Sequence, residues 1–166
     1  MHPALARPIR RHLGDLATEL PGSALLFPLA LTPTDGGPAV VRTILGIDDS
    51  AGSLRFAGDM PQGYKVRLMR STKDSLLDGA MQAAIDALAG MNGVAPSSLI
   101  CVSCIGRRAV LRSRVGEEMD EVAQQAPGVV VTGYYSNGEI APPTGVTDRV
   151  ALLHNQTMTI TAIGER

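Results

Sequence analysis

Between Tyr64 and Tyr135 the hydrophobic pattern changes period four times, and this limits the folds open to the chain more than any other feature. "YKVRLMR" (Tyr64–Arg70) is β-rich, and Leu77, Met81, Ala84, Ile85 and Leu88 then recur at helical spacing. "SLICVSCIG" (Ser98–Gly106) is a continuous apolar run suited to a strand covered on both faces. A second helical stripe, Val115, Met119 and Val122, runs through Ser113–Gln125 before "GVVVTGYY" (Gly128–Tyr135). Strand–helix–strand–helix–strand requires crossovers, and crossovers lay helices on a sheet. The first of these helices has a capping-box pattern in Ser71 and Asp74 and a C-cap in Gly90.

The flanks are simpler. Leu5, Ile9, Leu13 and Leu16 give Pro3–Leu20 an amphipathic stripe, so residues 1–21 are expected to be an N-terminal helix leading into the sheet. Pro8 belongs in its first turn or at a kink. "ALLFPLAL" (Ala24–Leu31), "AVVRTILGI" (Ala39–Ile47), "SLRFAG" (Ser53–Gly58) and Tyr64–Arg70 read as a four-strand antiparallel meander. Asn137-Gly138 is a turn signal, and "EIAPPTGVTD" reads as a loop. The last strand alternates, with Met158, Ile160 and Ala162 on one face and threonines on the other. That register also turns His154 and Gln156 inward, unless a bulge near Asn155 makes Asn155 and Thr157 the inward pair. The expectation is an α+β fold: a mixed, largely antiparallel sheet with two or three helices packed on it, forming one domain over residues 1–166.

Composition removes several function classes. A net charge of −1 gives no basic footprint for nucleic acid and no polybasic patch for anionic lipid. No apolar run approaches the length of a membrane span, and the N-terminus lacks the apolar core of a secretory signal. With two cysteines, a reducing cytoplasm is the expected compartment. The motifs of phosphate-binding loops, dinucleotide folds, zinc proteases and serine hydrolases are missing, so neither cofactor nor metal is expected.

Three segments carry candidate chemistry. In "CVSCIGRR", Cys101 and Cys104 on a strand point to opposite faces, which argues against a disulfide or metal pair. Cys104 lies at the strand's C-terminal end, an edge that ligands of such sheets favour. Arg107 and Arg108 beside it suit an anion clamp and a lowered thiol pKa. In "GYYSNGEIAPP", Tyr134 and Tyr135 send one ring to each face, and Ser136 and Glu139 follow at the strand end. In "HNQT", His154, Asn155 and Gln156 open an otherwise apolar-faced strand, as a pocket rim or a core polar network.

Taken together, these segments resemble the C-terminal half of FIST proteins (F-box and intracellular signal transduction). The likeness is carried by "VVRTILGID" at Val40–Asp48, "FAGDMPQGYKVRLMR" at Phe56–Arg70, "SCIGRR", "GYYSNGEIAP" and "LHNQTMTIT" at Leu153–Thr161. The resemblance implies a sensory, signal-transducing domain that binds small ligands, with amino acids or small carboxylates as candidates. It also implies an N-terminal FIST half that is not seen here, so a stand-alone protein, a fragment, and a chain pairing with another polypeptide are all open. Asn137 stands where the family often carries an aromatic residue.

Three readings follow. In the first, Cys104, Arg107, Arg108, Tyr134, Tyr135, Ser136, Glu139, His154, Asn155 and Gln156 line a ligand site and no residue is catalytic. In the second, the chain is an enzyme with Cys104 as nucleophile, His154 as base and Glu139 orienting it. In the third, it is an assembly module that pairs with an N-terminal FIST partner. The expected partners are a small molecule and a homo-oligomer or signalling protein, without nucleic acid or membrane.

Overall fold

A computed structural model of the chain describes residues 3–19, 22–48, 50–142 and 150–165. The N-terminal stripe forms α1 (Pro3–Leu13), which holds Pro8 inside it and buries Ile9 and Leu13. This helix stops short of Leu20. Gly14 takes a φ of +55°, a left-handed value that ends a helix, and Gly14–Glu19 continue as a 3₁₀ helix. Leu16, expected in the buried stripe, is therefore exposed.

The predicted meander divides. Ala24–Leu31 is not one strand: Gly22–Leu26 form a 3₁₀ helix closed by the Phe27 N–H on the Ala24 carbonyl, and β1 (Leu29–Thr32) follows. The run Ala39–Ile47 splits into β2 (Val40–Arg42) and β3 (Ile44–Asp48) at Thr43. Thr43, 5% exposed, turns its N–H away from the ladder toward Asn155 Oδ1 at 3.5 Å. β3 then pairs with β4 (Ser53–Phe56) as a separate hairpin, while β1 sits between β2 and β5 (Lys65–Leu68), all antiparallel. Ile9, Leu13, Ala24, Leu29, Ile44 and Leu54 pack together as the core beneath these elements.

α2 (Lys73–Ala89) is capped by Thr72 and Ser75, which exchange side chain-to-backbone bonds; the box lies one residue beyond the predicted Ser71–Asp74 pair. Its buried stripe is Leu76, Leu77, Ala80 and Ala84, and Ile85 faces outward. β6 (Ser98–Cys104) runs straight into α3 (Ile105–Leu111), a helix the sequence reading missed because seven residues are too few to show a period. A 3₁₀ turn, Arg112–Arg114, leads to α4 (Val115–Gln125) and then to β7 (Val130–Ser136).

β6 and β7 are parallel, as the crossover demands, and β10 (Met158–Ile163) pairs antiparallel with the other edge of β6. Leu99, Cys101, Met158 and Ile160 pack against Ala80, Ala84 and Val122 of α2 and α4. Only that face is fully covered. Burial alternates along β6, leaving Ile100 and Val102 half-buried, while Val130 and Tyr134 on the same face of β7 are exposed. A strand buried on both faces is thus corrected to one buried on the helix side.

Two short strands follow. Glu139–Ala141, expected in a loop, form β8, antiparallel to β9 (Leu152–His154). Residues 143–149 of that loop lie outside the described residues. The final strand is not continuous: the chain leaves the extended conformation at Asn155, and Gln156 has a φ of +54°. β9 and β10 therefore belong to different sheets. The fold is α+β, and among the described strands β6–β7 is the parallel pairing in an otherwise antiparallel set. No described helix is long and apolar enough to cross a membrane.

Candidate functional site

The C-terminal ends of β6 and β7 bring the three candidate segments together. Parallel register sets Cys104 beside Ser136, and antiparallel register sets Glu139 beside His154. The Glu139 carboxylate is the hub. It accepts from Ser136 Oγ at 2.5 Å and from Thr157 Oγ1 at 2.9 Å, with the Thr157 N–H at 3.4 Å. Cys104 donates its own N–H to the Thr157 carbonyl at 3.0 Å. Its thiol meets Glu139 and the N–H groups of Gly106 and Gln156.

This cluster is closed. Glu139 and Asn155 are each 1% exposed, and Cys104 and Gln156 are buried. The break at residues 155–156 explains how two consecutive polar side chains are both interior. Asn155 Nδ2 donates to the carbonyl of His154, while Gln156, turned by its positive φ, donates through Nε2 to the Leu25 carbonyl at 2.7 Å. Neither the unbroken register nor a simple bulge describes this: Asn155, Gln156 and Thr157 all make interior bonds. The Oε1 of Gln156, the Nε2 of His154 and the Oγ1 of Thr43 are buried without a partner.

Burial pushes the Cys104 thiol pKa up, and the neighbouring Glu139 charge adds to the rise. The lowered thiol pKa expected from the arginines is therefore corrected. Arg107 faces away from the thiol, donating Nε to Glu118 at 2.6 Å and Nη2 to the Leu76 carbonyl at 2.6 Å. Ser103 completes that pair by donating to Glu118 at 3.0 Å, and Arg107 and Glu118 are 3% and 0% exposed. Arg108 instead lies over the Tyr135 ring, 5.3 Å from its centre, at the surface. Tyr134 projects on the open face of the sheet, 64% exposed. The structure thus joins Cys104, Ser136, Glu139 and Gln156, with His154 and Asn155 adjoining. It separates Arg107, Arg108, Tyr134 and Tyr135 from them.

Sequence reasoning missed Arg42, which is buried and staples β9 to the first sheet. It donates to the Asp59, Val41 and Leu153 carbonyls at 2.8–3.0 Å. Its place inside "AVVRTILGI", a charge in an apolar run, was the available signal. Also missed was a cavity of about 730 Å³ between the N-terminal 3₁₀ segments, the start of α2 and α3. Leu25, Phe27 and Val110 form part of its wall, and Arg70, Lys73 and Arg112 bring charge to it. Leu25 is shared: it lines the cavity, and its carbonyl accepts from Gln156. Among the described residues no group of His, Cys, Asp or Glu is placed to hold a metal ion.

The profile of the FIST C domain matches residues 6–142, most of the chain. The chain belongs to the FIST C domain family. No curated protein and no solved structure matched it. The family is associated with signal transduction. The match includes Cys104, Ser136, Glu139 and every residue that lines the cavity from Leu16 to Arg112, while His154–Thr157 lie beyond it.

Proposed function

We propose that this FIST C domain is the ligand-sensing part of a signal-transduction protein, taking a small molecule into the cavity between its N-terminal segment, α2 and α3. The observation that carries the reading is that cavity. At about 730 Å³ it falls in the range of small-molecule pockets, and its wall mixes apolar side chains such as Leu25, Phe27 and Val110 with polar and charged ones such as Ser71, Thr72, Arg70, Lys73 and Arg112. Amino acids and small carboxylates, the ligands implied by the resemblance, fit that size and those basic side chains.

Leu25 supports a route out of the site. A molecule resting on its side chain also bears on the backbone that Gln156 holds, and Gln156 leads to Thr157, Glu139 and Cys104. The closed hub, in this reading, transmits occupancy rather than contacting ligand. A thermal-shift screen of water-soluble metabolites tests the proposal. A binding class should raise the melting temperature, as linkage requires, and Ala109→Trp, which fills the cavity from its exposed rim, should abolish the rise. A folded protein stabilised by nothing in the screen sinks it.

A further inference from the structure

We infer that the cavity takes an organic anion carrying two negative charges at one end of an apolar body. The inference rests on the reading that this domain binds a small molecule, and it names the chemical class. Arg70, Lys73 and Arg112 share the cavity wall with one acid, Glu19, so three positive charges meet one negative.

Some of the other basic groups are committed elsewhere, whereas Arg70, Lys73 and Arg112 share one wall. Arg42 is held by the Asp59, Val41 and Leu153 carbonyls, Arg107 is paired with Glu118, and Arg114 is paired with Asp74 and Glu117. Among the described residues, Arg70, Lys73 and Arg112 make neither an ion pair nor a side-chain hydrogen bond. Lys73 lies near enough to Glu117 to help hold that carboxyl pKa low, yet Glu117 is already bonded to Arg114.

The backbone gives a second pointer. Arg112 ends α3 with a φ of +56° and a ψ of −114°, a conformation that costs energy for any residue but glycine. The chain thus holds a long cationic side chain at the cavity wall where a glycine would relieve the strain. The same wall carries Leu25, Phe27 and Val110, and Leu16 and Leu26, both exposed, add to its apolar surface. A ligand entering here displaces water from apolar wall and cations together, which strengthens charge-assisted bonds to its head group. Guanidinium forks suit phosphate and paired carboxylates equally, so a phosphomonoester and a geminal dicarboxylate share this chemistry.

Calorimetric titration of the full chain separates the possibilities, using hexyl phosphate, hexylmalonate, hexanoate, hexanol and inorganic phosphate as probes. The two dianions should bind saturably. Hexanoate should bind at least about tenfold more weakly, and the neutral alcohol and free phosphate should not saturate. Arg70→Ala with Arg112→Ala should weaken the dianions at least about tenfold while circular dichroism and melting temperature hold. Ala109→Trp should remove binding without touching a charge. Preference of one dianion over the other identifies the head group. Equal binding of hexanol and hexyl phosphate, or dianion binding indifferent to the double variant, overturns the anion assignment and leaves the small-molecule reading standing. Failure of every probe beside hits elsewhere in the metabolite screen does the same. Failure of every probe and every metabolite removes both.

Discussion

Gln156 and Leu25 are 131 residues apart in sequence, yet the Gln156 amide donates to the Leu25 carbonyl at 2.7 Å. This bond joins the 3₁₀ helix at the cavity wall to the break between β9 and β10 beside the Glu139 hub. Gln156 is buried, and a Cβ at Gly106 would stand 3.1 Å from its Cγ, so the side chain has little alternative space. Gln156→Leu strands the Leu25 carbonyl and is expected to lower unfolding free energy by about 1–3 kcal/mol, read from urea denaturation. Hydrogen exchange should speed at Leu26 and Phe27 but not along β6. Unchanged exchange there would show that the bond does not hold the cavity wall.

That relationship also marks where the sequence stopped being legible. The existence of α2, the β6–α4–β7 order of elements and the period-two pattern of Met158–Ile163 follow from local periodicity and were readable. The buried face of α2, however, is Leu76, Leu77, Ala80 and Ala84 rather than the expected stripe through Met81 and Ile85. β3 leaves β2 because Thr43 is engaged by Asn155, 112 positions away. The 155–156 break satisfies Leu25, still further off. Local alternation showed that polar groups turned inward at His154–Gln156, but partners at that range leave no periodic trace. The same limit applied to the arginines. "GRR" displayed two cations, and only the placing of α4 and β7 decided that Arg107 meets Glu118 while Arg108 meets Tyr135.

The Arg107–Glu118 pair is sealed from water, so removing one member leaves a buried charge unmatched. Arg107→Met or Glu118→Leu alone should destabilise the domain by about 3–5 kcal/mol, whereas the double substitution should recover most of that loss. Chemical denaturation of the three variants gives the coupling directly. A double variant as unstable as the sum of the singles would mean the pair does not act as a unit.

Cys104 bears on the enzyme reading. Its thiol pKa is raised by burial first and by Glu139 next, against the bonds from the Gly106 and Gln156 N–H groups. Cys101 is pushed up to about 11 by burial. Both should alkylate with iodoacetamide at pH 7 more slowly in the folded domain than in urea, with mass spectrometry resolving the two sites. Glu139→Gln removes the charge while keeping an acceptor for Ser136 and Thr157, and should speed labelling at Cys104 alone. Labelling of native Cys104 as fast as in urea would revive it as a nucleophile.

His154 gives the domain a pH response of definite sign. Burial lowers its pKa below the usual 6.5, the Arg42 charge adds to the fall, and a bond to the Ala141 carbonyl opposes it. Glu139 is its cross-strand neighbour, and its carboxylate is occupied by Ser136 and Thr157. A base with a depressed folded pKa binds fewer protons folded than unfolded between those two values, so stability rises with pH across that window. His154 therefore contributes fully above about pH 6.5, and its contribution is lost as pH falls from there toward the folded value. Melting temperature should decline from pH 7 to pH 5, and His154→Gln, which retains a donor for Ala141 but does not titrate there, should flatten the decline. An equal decline in both proteins would assign the response to the acidic groups instead. A steeper one in the variant would mean that His154 gains a proton on folding, the reverse of what its burial, with Arg42 nearby, implies.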